Sequence, residues 1–117
     1  MKRFALLAAI AVLSLTPPSA NAQGLAAWAE EQPTAAQVYA TYPERALREG
    51  IEGDVRLLCT VRDDRKLDCA IHSETPIAYG FGAAAMRLAV LYTVSADDPR
   101  VAVGNRVILP IAYRLGD

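Results

Sequence analysis

The stretch that decides the fold is GDVRLLCTVRDDRKLDCAIH, residues 53–72. Every second residue is apolar: Val55, Leu57, Cys59 and Val61, then, beyond a polar interruption, Leu67, Cys69 and Ile71. Period-two alternation marks a strand with one face in a core, so two half-buried strands are predicted. The interruption, Arg62, Asp63, Asp64, Arg65 and Lys66, is charged throughout and has only the length of a hairpin turn. A three-residue loop closed by Arg62 and Lys66, a type I turn followed by a left-handed residue, sets the register. Cys59 then faces Cys69, Leu57 faces Ile71 and Val61 faces Leu67. All seven apolar residues share one face in this register, whereas a slip by one would turn one strand's set outward. Residues 59 and 69 fall at a non-hydrogen-bonded position, with Cα atoms about 4.5 Å apart, at the near end of the disulfide range. Arg65 takes the left-handed position that favours Gly or Asn, at a cost of about 1–2 kcal/mol. On the outer face, Arg56 is expected opposite His72.

Toward the N-terminus, residues 1–22 read as a secretory signal: Lys2 and Arg3, an apolar run from Phe4 to Leu15, Pro17 and Pro18, and the small-residue site Ala20, Asn21, Ala22. Cleavage is expected before Gln23. Twelve helical residues reach only about 18 Å across a hydrocarbon core of about 30 Å, which argues against a spanning anchor. No Cys precedes Cys59, so a lipid-anchored N-terminus is not expected. Removing the segment leaves 95 of the 117 residues, one small domain with a modest core. It also takes two of the twelve basic residues and none of the thirteen acidic ones, leaving a net charge of −3 with His72 neutral. That balance gives no footprint for nucleic acid. Export implies an oxidising compartment, in which the facing Cys59 and Cys69 should be bonded.

Residues 23–33 read as a loose lead-in, with Trp28, the only tryptophan, as its docking point. The domain proper is placed at 34–117. Thr34 with Gln37 three residues on makes a capping box, predicting a short helix through Ala40. TYPERALREG, 41–50, predicts a second, with Pro43 in the first helical position and Gly50 ending it. After the hairpin, 73–80 holds Pro76 and Gly80 and reads as a loop. FGAAAMRLAVLY, 81–92, carries Phe81, Ala85, Leu88 and Tyr92 at helical spacing, widened by Ala84 and Leu91, and is the helix expected over the hairpin's apolar face. Residues 95–104 are polar and read as a loop. In NRVILPIAYRL, 105–115, Val107, Leu109, Ile111, Tyr113 and Leu115 share one face. Pro110 cannot donate to a ladder, so this strand is expected at an edge or with a bulge. The predicted class is α+β: a three-stranded antiparallel sheet in the order β-β-α-β, one helix on one face, and short N-terminal helices.

Several segments together resemble the TonB C-terminal domain, the periplasmic module of energy transducers in Gram-negative bacteria. They are YPERA (42–46), GIEGDV (50–55), the strand, charged turn and strand unit, GFGAAAMRLA (80–89) and GNRVILPIAYRL (104–115). The resemblance implies the fold just derived and a last strand that pairs with a short extended segment of an outer-membrane receptor. Carried onto this chain, it makes Val107, Ile108, Leu109, Pro110, Ile111, Ala112, Tyr113, Arg114 and Leu115 the docking edge, with Tyr42 and Pro43 as a second contact region. It departs from the family at Arg65, where Gly is usual, at Tyr92, where Trp is usual, at Val94, where Phe is usual, and at Ala96, where Pro is usual. The membrane anchor and Pro-rich spacer of energy transducers are also missing from the reading, and the paired cysteines resemble a secreted, disulfide-bearing branch.

The implied function is protein binding without catalysis, with no cofactor and no metal. The implied partner is a protein, a TonB-dependent receptor being one candidate, and pairing of two copies through the last strand is another use of the same edge. Two alternatives stand beside it: an energy transducer with an uncleaved anchor, and a small secreted hydrolase or inhibitor. For the hydrolase, His72, the sole histidine, would have to serve. Its side chain points to the face opposite Cys59 and Cys69, so the three do not converge on a metal. The cysteines lack the two-residue spacing of a redox motif. The pairs Asp63–Asp64 and Asp97–Asp98 sit in turns, where Asp commonly bonds local backbone. Gly80 to Gly82 lacks the Lys of a phosphate loop.

Overall fold

The computed structural model describes residues 26–116. The expected signal segment and its cleavage site lie outside them. In chain order the elements are β1 (Ala29–Glu31), α1 (Ala35–Ala40), α2 (Glu44–Glu49), β2 (Gly53–Val61), β3 (Leu67–Thr75), α3 (Phe81–Ala89), β4 (Thr93–Val94), a 3-10 turn (Pro99–Val101) and β5 (Arg106–Tyr113). The main sheet is antiparallel in the order β3-β2-β5, and α3 lies across β2 and β3. This is the α+β architecture expected from the pattern.

The hairpin has the predicted register. Cys59 pairs with Cys69, Leu57 with Ile71 and Val61 with Leu67. Arg62 N–H donates to Lys66 O at 2.8 Å, and Arg65 sits at φ 67°. Cys59 and Cys69 are joined by a disulfide, their Cα atoms 4.0 Å apart. Val55, Leu57, Cys59, Val61 and Leu67 are buried, but Ile71 remains 45% exposed because β3 is the rim of the sheet. Two details of β3 differ from expectation. The strand continues to Thr75, through the first part of the expected loop, and the register shifts after the 57–71 pair, so that Arg56 pairs with Ser73 and His72 is the extra residue of a bulge. A bulge changes which face the following side chains take. Glu74 now lies opposite Val55, on the helix side, and its carboxylate accepts from Gly82 N–H at 3.2 Å in the first turn of α3. That matters because the N-cap of α3 is Gly80, at φ 86°, which has no side chain to offer.

Helix α3 buries Phe81, Ala84, Ala85, Leu88 and Ala89. It ends at Ala89, earlier than the apolar spacing suggested; Tyr92 is buried beyond it, while Leu91, expected to widen the stripe, is exposed. Gly53 lets the Phe81 ring come close: a Cβ there would lie 2.5 Å from ring carbons. The ring meets Tyr42 edge-on at 5.7 Å and Tyr113 at 5.3 Å between centroids. Helix α1 carries the complete Thr34–Gln37 capping box, and α2 follows Pro43 and ends at Gly50 in the left-handed region.

From Ala26 on, the described part of the lead-in is more ordered than its composition suggests. Trp28 is buried with its ring 6.5 Å from that of Tyr92, and Ala29–Glu31 pairs with Thr93–Val94 as a small second sheet. Arg65 binds this strand to the hairpin, its guanidinium donating to Glu30 at 2.7 Å and to Val94 O at 3.3 Å. The polar stretch after β4 folds into the 3-10 turn, capped by Asp98 and anchored by buried Val101. Among the described residues no helix is long and apolar enough to cross a membrane.

Candidate interaction edge

Among the described residues the last strand is bonded on one side only. Its pairs with β2 run from Gly53–Tyr113 to Thr60–Arg106, and the ladder's phase is fixed at its end by Val61 N–H donating to Asn105 O at 2.9 Å. In an antiparallel ladder alternate residues exchange both bonds with the partner strand and the others point away. Val107, Leu109, Ile111 and Tyr113 therefore bond to β2, while Arg106, Ile108, Pro110 and Ala112 turn their backbone outward. Pro110 lies opposite Arg56, where its missing N–H removes nothing from the ladder, so the strand needs no bulge to hold a proline. The rim thus offers N–H donors at 106, 108 and 112, with a gap at 110.

The nine residues implied as the docking edge divide into three groups. Leu109, Ile111 and Tyr113 are buried, and their side chains belong to the core. Val107 is half-buried on the same face, while Ile108, Pro110 and Ala112 lie on the open face of the sheet at the rim. Arg114 and Leu115 follow the strand and are held back onto β2: Arg114 donates to Gly53 O at 3.0 Å and pairs with Asp54 at 2.6 Å, and Leu115 N–H donates to Glu52 at 2.9 Å. The open rim accordingly spans 106–112.

Of the second contact region, Tyr42 faces inward. Its hydroxyl donates to Ile51 O at 2.7 Å, its ring stacks edge-on with Tyr113 at 5.3 Å, and burial followed by the nearby Glu52 raises its pKa. Tyr113 shares a hydrogen bond with Thr41 at 2.9 Å; its burial raises its pKa as well, against the effect of that bond. Pro43 is half-exposed at the start of α2. Tyr42 therefore helps seat the C-terminal end of β5, and its neighbours supply the accessible surface. That surface carries a feature the sequence reading missed. Tyr79 donates to Glu49 at 2.6 Å, Arg45 donates to the same carboxylate at 3.1 Å, and the Arg45 guanidinium lies over the Tyr79 ring at 4.6 Å. The Tyr79 bond, then Arg45, lowers the Glu49 pKa, and Glu49 in turn raises that of Tyr79. Arg45 and Glu49 at i, i+4 announce a helix pair; nothing in the sequence announces that a loop tyrosine thirty residues on will join it.

His72 is exposed in the bulge, and the disulfide joins Cys59 to Cys69 on the other face. Among the described residues no three His, Cys, Asp or Glu side chains are grouped as a metal site. Asp63 and Asp64 lie in the hairpin turn, where Asp64 accepts from Lys66 N–H and Arg62; Asp98 accepts from Arg100. Compared with known proteins, the chain matches no family model and no curated relative.

Proposed function

We propose that this chain is a protein-binding module of the Gram-negative envelope, resembling the TonB C-terminal domain, which takes an extended segment of a partner protein along the outer rim of β5 and performs no catalysis. The observation that carries the reading is the outward backbone of Arg106, Ile108 and Ala112 on a strand that, among the described residues, is bonded on one side only. Main-chain bonds of this kind give affinity to strand addition, and side-chain pockets give selectivity. The proline gap at 110 restricts the register: a guest gains donors on either side of Pro110 and none opposite it. A TonB-dependent receptor in the outer membrane is the partner the resemblance favours, met by a module exported to the periplasm.

Photo-cross-linking tests this reading. A photoreactive residue replacing Arg106 is expected to yield a specific adduct with an envelope protein in periplasm, and Ile108→Pro, which removes an outward N–H without touching the β2 ladder, is expected to abolish it. An adduct that survives Ile108→Pro, or no adduct at all, contradicts the proposal. Position 106 is preferred to 114 because Arg114 is already engaged with Asp54.

A further inference from the structure

The sheet has a second rim, and it differs from the first. With Arg62 N–H bonded to Lys66 O, the even-numbered residues of β3 up to the bulge bond to β2, and Leu67, Cys69 and Ile71 turn their N–H and C=O groups outward. No proline interrupts these five residues. Beside them runs α3. Its first turn meets Ile71 and Glu74, and just beyond its last turn Thr93 and Val94 meet Lys66 and Arg65, so the helix lies antiparallel along β3. Gly82 and Met86, four residues apart, therefore face the rim, and Val90, the C-cap four residues further on, continues the row turned toward solvent. Ile71 is 45% and Val90 67% exposed, and Met86 is partly buried. An unblocked edge bordered by exposed apolar side chains is the kind that proteins usually protect with charge or proline.

We propose that this rim pairs antiparallel with the same rim of a second copy, about a two-fold axis at Cys69. The segment Leu67, Asp68, Cys69, Ala70, Ile71 is self-complementary about its centre. Leu67 meets Ile71 of the second copy on the helix side, Asp68 meets Ala70 of the second copy on the open side, and no like charges meet directly. Each of the pairs 67–71, 69–69 and 71–67 is in the bonding phase, so every outward group from Leu67 to Ile71 is satisfied. The helices close the argument. Paired strands lie about 4.8 Å apart, and a helix seated between β2 and β3 lies about half a spacing inside β3, so the axis sets the two copies of α3 about 10 Å apart on one face of a six-stranded sheet. That is helix-packing distance, about 8–10 Å, with Met86 near the axis and Val90 over Gly82 of the second copy. The bulge at His72 ends the pairing. The β5 rims lie at the outer edges of the assembly and stay open.

Sedimentation velocity on the purified oxidised protein from micromolar to millimolar concentration tests this pairing. The weight-average mass is expected to rise toward twofold. Val90→Lys, at the exposed C-cap of α3, and Ile71→Pro, which removes an outward N–H and no bond to β2, are each expected to weaken association at least about tenfold while thermal unfolding stays cooperative. Ile108→Pro on β5 is expected to leave it unchanged. Wild-type protein that remains monomeric at millimolar concentration overturns the proposal, as does association that survives Val90→Lys or is lost in Ile108→Pro. Because partner capture is read at β5, this inference and the proposed function fail separately.

Discussion

Glu74 shows how one backbone irregularity fixes the role of a side chain. The bulge at His72 turns its carboxylate toward α3, where it replaces the side-chain cap that Gly80 lacks. Glu74→Ala is expected to cost about 1 kcal/mol in urea unfolding through loss of the cap and of a favourable charge at the helix N-terminus, and Glu74→Gln less. A change within error for Glu74→Ala would show that the contact is incidental. At Gly53 the constraint is space. The Phe81 ring occupies the position of a Cβ and is itself buried, so Gly53→Ala should destabilise by about 1–3 kcal/mol by the same measurement. Arg65 illustrates a compensated strain. Its left-handed backbone was legible from the hairpin length; its bonds to Glu30 and Val94 O were not, because they depend on a strand partner more than sixty residues from the lead-in. Arg65→Gly is expected to raise amide exchange at 29–31 and 93–94, while a surface ion pair worth at most about 1 kcal/mol leaves global stability little changed.

At the scale of elements, what could be read from sequence was whatever depends on local spacing. The hairpin register, the disulfide pair, the capping box and the helix over the sheet all follow from alternation, turn length and periodicity. The bulge did not, since a period-two pattern through His72 does not announce one extra residue. Strand β1 did not either: three residues, two of them acidic, carry no strand signal of their own, and β4 supplies the other half. The candidate rim was legible as an edge because of Pro110, but its donors at 106, 108 and 112 required the ladder's phase. The disulfide crosslinks residues ten apart in sequence, a small loop, so reduction is expected to lower stability by at most about 2–3 kcal/mol. Thermal midpoints with and without reductant measure it, and equal midpoints would contradict a stabilising bridge. In the 3-10 turn, side-chain and backbone bonds from Arg100 hold the Asp98 carboxyl down to about 2. A depressed carboxylate contributes its stabilisation above the unfolded value, about 3.9, and loses it as pH falls through about 2. Carboxyl chemical shifts of Asp98 followed by NMR should therefore show a midpoint near 2, and an ordinary midpoint would count against the cap.

Among the described residues the main sheet is covered on one side: α3 and the aromatic group of Tyr42, Phe81 and Tyr113 close one face, and two rims remain at β3 and β5. Burial raises the pKa of Tyr92 and Tyr113 above the ordinary value. For a raised pKa the stabilisation is complete below the unfolded value, about 10, and declines as pH rises beyond it. Alkaline unfolding followed by tyrosinate absorbance should show these two rings ionising together with loss of the fold; their ionisation while the far-ultraviolet spectrum stays native would contradict the packing. The proposed function requires that β5 present an open, phase-alternating rim to a guest strand. Residue-resolved amide hydrogen exchange tests it most directly. In the isolated protein, Arg106, Ile108 and Ala112 are predicted to exchange rapidly while Val107, Leu109, Ile111 and Tyr113 are protected, and a captured partner is predicted to slow the first set. Uniform protection along the strand before any partner is added would contradict the claim.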